Sequence, residues 1–130
     1  MRDDLEIQLV TECPNLYRDV NGNLQEPGTT WGIECLDGWF GILHDASLEL
    51  ERLIADIPEE HRADYRALRV KEKFGLLRIE MFYVSDEMLR IIDRAGEKSA
   101  VVCEVCGEVG ELYGVGGWNY VACSNHMRTR

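Results

Sequence analysis

Two pairs of soft metal ligands constrain this chain more than any other stretch. Cys103-Glu-Val-Cys106-Gly107 is followed by Cys123-Ser-Asn-His126, with sixteen residues between Cys106 and Cys123. Two intervening residues let both side chains of a pair reach one ion, and a second pair at this distance completes four donors. Gly107 lets the backbone turn back without a Cβ clash. Between the pairs, Glu111-Leu-Tyr113 and Trp118-Asn-Tyr-Val-Ala122 read as short strands joined by Gly114-Val-Gly-Gly117, a hairpin that carries the second pair back to the first. The spacing predicts one Zn²⁺ held by Cys103, Cys106, Cys123 and His126. Three thiolates and an imidazole fill a tetrahedron and leave no position for water or substrate, so the expected ion is structural. A catalytic zinc would require one ligand to be misassigned, and His126, close to the end of the sequence, is the weakest. Two other readings compete, reduced cysteines that are merely buried and a disulfide framework. Against the second, five cysteines is an odd number, close pairs suit metal, and no signal peptide opens the sequence.

At 130 residues the expectation is one domain, an α+β body over residues 1–100 with a zinc-binding module over 101–130. No apolar run approaches membrane length, so a soluble protein is expected. The formal charge is −10, and it is unevenly spread. Residues 1–64 hold fifteen acids against four bases, whereas residues 65–130 hold nine against ten. Such a balance weighs against nucleic acid, whose affinity comes largely from Lys and Arg on phosphates. It is ordinary for a solvated surface, and its sharper reading is a protein partner with a basic face.

The remaining elements follow from periodicity. Asp3 to Cys13 predicts a short helix ending before Pro14, and Leu16 to Ile33 reads as loop, with turn chemistry at Asn21-Gly22-Asn23 and Glu26-Pro27-Gly28. Cys13 and Cys35 have no partner at metal spacing and read as small buried hydrophobes. Gly38 to Ile57 predicts the longest helix, with Asp37 as N-cap, Pro58 as stop, and Trp39, Leu43, Ala46, Leu50, Leu53 and Ile57 as one apolar stripe facing the core. His44 beside Asp45 invites a catalytic reading, but adjacent helix residues point in different directions. Arg66 to Tyr83 predicts a β-hairpin turning near Lys73-Phe74-Gly75, with Leu77, Ile79, Met81 and Tyr83 on one face. It carries Arg66, Arg69, Lys71, Lys73 and Arg78, either a phosphate-tracking stripe or, as we favour, the polar face of a half-buried sheet. Ser85 should cap a last helix running to about Ser99, with Met88, Ile91, Ile92 and Ala95 inward. The fold class is therefore α+β, helices on a small antiparallel sheet with a C-terminal zinc-ribbon-like hairpin.

Asp37-Gly-Trp39-Phe, Val70-Lys-Glu-Lys-Phe-Gly75-x-Leu-Arg78, Cys103-x-x-Cys-Gly107, Gly117-Trp118 and Cys123-x-x-His126 occur here in one order. Together they resemble a family of small, mostly uncharacterised proteins encoded by bacteriophages and prophages, over about residues 35–126. The resemblance implies a bacterial cytoplasmic setting and a bound zinc, and it carries no catalytic residue. Two functional classes remain, a non-catalytic protein-binding module (an inhibitor or immunity-type protein, for example) and a nucleic-acid-associated accessory factor or enzyme. The His-x-Glu with Pro-Cys-x-x-Cys pattern of zinc deaminases and the phosphate-binding Gly-x-x-x-x-Gly-Lys loop are both missing from the sequence. A cysteine nucleophile would need an activating base, and the histidine at motif spacing is assigned to metal. The binding class is the expectation.

Overall fold

A computed structural model describes residues 1–23 and 33–127. Its order is helix α1 (Asp3–Glu12), helix α2 (Arg18–Asn23), strand β1 (Ile33–Glu34), a single 3₁₀ turn (Asp37–Trp39) and helix α3 (Phe40–Ala55). There follow the one-turn α4 (Glu59–Arg62), strands β2 (Ala67–Lys73) and β3 (Leu76–Met81), helix α5 (Asp86–Ser99), and strands β4 (Glu111–Val115) and β5 (Trp118–Ala122). The architecture is α+β, as expected. β2 and β3 form the antiparallel hairpin, β4 and β5 form a second one, and α5 packs on both β3 and α3.

The hairpin turn falls on Phe74-Gly75, with φ of 54° and 87°. Two successive left-handed residues match the twist of the flanking strands. Leu77 and Ile79 are buried and Met81 is half-buried, but Tyr83 lies beyond the strand and is exposed. The hairpin is not alone. β1 adds to it in parallel, Ile33 opposite Val70, and makes a sheet of three strands in the order β1-β2-β3. Two residues are too few to show the period-2 alternation by which a strand is recognised.

The stretch expected to be loop between Leu16 and Ile33 instead opens with α2. Leu16, Tyr17 and Val20 are buried on the core side. Asn21-Gly22-Asn23 closes a helix rather than forming a free turn, a use of Gly and Asn as ordinary as the other. Glu26-Pro27-Gly28 lies outside the described residues.

α3 begins later than its sequence pattern predicts. Asp37 does not cap it but lies within the 3₁₀ turn, where its Oδ1 accepts a hydrogen bond from the Arg2 backbone N–H (2.8 Å). The predicted stripe holds through Trp39, Leu43, Ala46 and Leu50, then passes to fully buried Ile54, while Leu53 and Ile57 are only half-buried. A stripe spaced every 3.5 residues drifts by about 20° per heptad on a straight helix, enough to change the inward residue after two heptads. α5 matches its prediction. Ser85 Oγ accepts from the Met88 N–H, and Met88, Ile91, Ile92 and Ala95 are buried. Gly96 and Ser99 are buried as well, and Ser99 Oγ donates to the Gly96 carbonyl (2.6 Å) and accepts from the Leu77 N–H (2.9 Å). That contact ties the end of α5 to β3 and fixes the point from which the chain enters the cysteine-rich segment.

Candidate metal centre

After α5 the backbone folds back on itself. Val102 bridges Val109, the Cys103 N–H donates to the Glu108 carbonyl (2.7 Å), and the Gly107 N–H donates to the Cys103 carbonyl (2.9 Å). This tight knuckle presents Cys103 and Cys106 together. β4 and β5, joined through Gly116-Gly117, return the chain so that Cys123 follows β5 directly, and a further turn, with the His126 N–H on the Cys123 carbonyl (3.1 Å), brings up the imidazole. The expected strand Glu111–Tyr113 is two residues longer than predicted, because the turn needs only the glycine pair.

The four side chains named from spacing converge. The Sγ atoms of Cys103, Cys106 and Cys123 and a ring nitrogen of His126 all lie within 4.8 Å of one another. Cys106 Sγ to Cys123 Sγ is 3.7 Å, and His126 Nδ1 is 3.1 Å from Cys123 Sγ and 3.6 Å from Cys103 Sγ. A tetrahedral centre with metal–sulfur bonds of about 2.3 Å would set its sulfurs about 3.8 Å apart. The set therefore has the size, the donor types and the count to hold one metal ion, through Nδ1 of the histidine. Among the described residues no other group of three or more Cys, His, Asp or Glu donors is placed to do so.

The knuckle also prepares a negative charge. Burial pushes the Cys103 thiol up, but the backbone N–H groups of Cys106, Cys123 and Val105 favour the thiolate more strongly and bring its pKa down to about 6. Cys106 is raised: the Glu108 N–H lowers it, and is outweighed by burial together with the Cys103 and Cys123 sulfurs beside it. Backbone dipoles thus favour one thiolate, Cys103, whereas the sulfurs beside Cys106 favour its neutral thiol, which a bound cation would reverse.

Sequence reasoning missed what seats this module on the body. The Gly38 N–H donates to the Glu104 carbonyl (2.8 Å), and a Cβ on Gly38 would lie 2.2 Å from the Cys103 carbonyl oxygen. No side chain fits there. The neighbouring Trp39, wholly buried, donates its indole N–H to the Val102 carbonyl (2.9 Å). On the other flank, a Cβ on Gly75 would lie 2.7 Å from Leu112 Cδ1 and 2.9 Å from Asn119 Cβ, so the tip of the β2–β3 hairpin rests against the β4–β5 hairpin. Val121 completes the join by entering the main core. Asp37-Gly-Trp and Lys73-Phe-Gly, read from sequence as separate motifs, both abut the metal cluster's own scaffold. A glycine placed directly before a buried tryptophan at a helix start was the available signal.

The basic hairpin is largely neutralised from within. Arg66 pairs with Asp19 (3.1 Å) and lies over the Phe82 ring, Lys71 pairs with Glu80 (3.2 Å), and Arg78 pairs with Asp93 (2.7 Å). Arg69 and Lys73 are exposed. His44 contacts Glu12 of α1 and stacks on Phe40 rather than turning to Asp45, which makes it a helix–helix contact on the surface. No protein-family model, no curated protein and no solved structure matches the chain. Among the described residues, no helix is long and apolar enough to cross a membrane.

Proposed function

We propose that this is a small, acidic, zinc-stabilised protein of bacteriophage type, a non-catalytic module that works in the bacterial cytoplasm by occupying a host protein with a basic face. A nucleic-acid-handling or defence protein has the required charge. The observation that carries the reading is where the cations go. Three of the five bases on and beside the β2–β3 hairpin are paired with the chain's own carboxylates, whereas Asp3, Asp45, Asp56, Glu59, Glu60 and Asp64 stand exposed. A phosphate backbone would meet repulsion over most of this surface, and a basic protein would be steered to it.

Zinc is the ion that suits three thiolates and one imidazole in a closed tetrahedron, and such a site contributes to folding rather than chemistry. The experiment is a pull-down from bacterial lysate with the tagged protein, with and without nuclease. A protein retained after nuclease treatment is expected. Its binding should survive replacement of Lys71, Lys73 and Arg78 by Ala, and its association should slow when Glu49→Lys and Asp56→Lys are combined. Micromolar, salt-sensitive nucleic-acid binding that disappears with the hairpin triple variant would overturn the reading and establish the accessory-factor alternative.

A further inference from the structure

At the start of β5 the indole of Trp118 stands 75 % exposed, and Leu36, just after β1, is 42 % exposed. Single apolar side chains on a surface need no explanation, but this pair rims a built feature. The strand that presents Trp118 is fixed on both sides, by buried Tyr120 and by the packing of Asn119 against Gly75. Between this strand and the three-stranded sheet lies a cavity of about 240 Å³ that takes Glu34 from β1, Glu72 from β2 and Glu104 from the knuckle into its wall. Among the described residues no Lys, Arg or His lines it, and neither Glu34 nor Glu72 has an ion pair. Glu104 is nine-tenths buried; Glu72 uses Oε1 to accept the Gly75 N–H.

The feature combines an exposed indole on a packed strand, an apolar edge and carboxylates in a recess too small for a drug-sized ligand. A phosphate would be repelled there. A guanidinium is attracted by both parts, since it is planar, stacks on an indole and offers five N–H donors to carboxylates. We propose that the Trp118 recess receives an arginine side chain of a partner protein, its guanidinium flat against the indole and its N–H groups turned to Glu34 and Glu72. The inference rests on the reading of the chain as a binder of basic proteins and gives that interaction its anchor. Arginine and tryptophan are the residues that most often carry the energy of such contacts.

The test is a titration of the zinc-loaded, ¹⁵N-labelled chain with a glycine-flanked di-arginine peptide, and with the same peptide carrying uncharged citrulline. Saturable shifts of the Trp118 indole and of the Gly75 and Asn119 amides are expected with arginine, and at least tenfold weaker binding with citrulline. Trp118→Ala, at an exposed site, and the near-isosteric pair Glu34→Gln/Glu72→Gln should each weaken the arginine peptide at least tenfold while leaving the melting temperature in place. Equal shifts with citrulline, shifts confined to the acidic helices, or full binding by Trp118→Ala would overturn the proposal. So would peptide-independent, concentration-dependent shifts at Trp118, which would mean that a second copy of the chain covers the face. A basic host protein whose Kd ignores these variants would defeat the pocket and leave the wider reading standing. Saturable peptide binding here in a chain that retains only nucleic acid from lysate would do the reverse.

Discussion

Gly38 and the cysteine knuckle approach so closely that their relation can be tested one atom at a time. Adding a methyl group in Gly38→Ala places a carbon 2.2 Å from the Cys103 carbonyl, a contact no side chain sustains. The backbone must part, taking the Gly38–Glu104 hydrogen bond with it, and a loss of about 1–3 kcal/mol or more is expected in chemical denaturation, accompanied by weaker metal retention. At the ligands themselves, Cys106→Ser should abolish stoichiometric zinc and lower the melting temperature, as read by metal analysis and calorimetry. Retained zinc with unchanged melting would refute the assignment. The two remaining cysteines behave differently. Burial pushes the thiols of Cys13 and Cys35 up to about 12, with nearby Glu51 and Glu104 respectively adding to the effect. Both should resist alkylation in the native protein at neutral pH, unlike exposed Cys106 once its metal is chelated. Because these folded-state values lie above the ordinary 9.0 of an unfolded cysteine, the unfolded chain holds fewer protons between the two. Their contribution to stability is therefore complete below about pH 9 and lost as pH rises towards 12, so the urea midpoint should fall across that interval. A midpoint flat to pH 11 would contradict it.

Helices α3 and α5 and both hairpins were legible because each is long enough to show its period or its turn. Leu43, Ala46 and Leu50 on α3, and Met88, Ile91, Ile92 and Ala95 on α5, point inward as their spacing requires. The convergence of Cys103, Cys106, Cys123 and His126 was legible for a different reason, since a site sized for one ion is short-ranged and leaves a local spacing behind. What could not be read is whatever depends on a distant partner. β1 is a strand only because Val70 lies beside it, and Ser99 is buried only because β3 needs a hydrogen bond there. The exact inward residue near the end of α3, Ile54 in place of Leu53, depended on the true helical pitch. α3 should also show its weight in the core directly. Leu50 is fully buried, and Leu50→Ala is expected to cost about 2–5 kcal/mol. A value well below 1 kcal/mol in urea unfolding would mean that this face is not core.

On the scale of the whole molecule, the metal cluster and the helical body share a wall formed by Gly38, Trp39, Gly75 and Val121. Removing the ion should therefore loosen more than the last thirty residues. Chelation is expected to lower the single melting transition of the whole chain, and to quench or shift the emission of Trp39, whose indole N–H is held by the Val102 carbonyl. Melting of a separate, unaffected body transition after chelation would show the two parts to be independent. Acidification should act in the same direction, because thiolates must take up protons to release the ion. The Trp39–Val102 bond also has a meaning in time. Its partners are 63 residues apart in the chain, and at roughly 5–20 residues per second of synthesis the tryptophan is made roughly 3–13 s before its acceptor. During that interval Trp39, the largest fully buried side chain among the described residues, lacks its carbonyl partner, and neither the Cys103/Cys106 pair nor the Cys123/His126 pair yet exists. A body made first and closed by its last-made segment should therefore be more open to proteolysis when the chain is truncated before Val102 than when it is full-length.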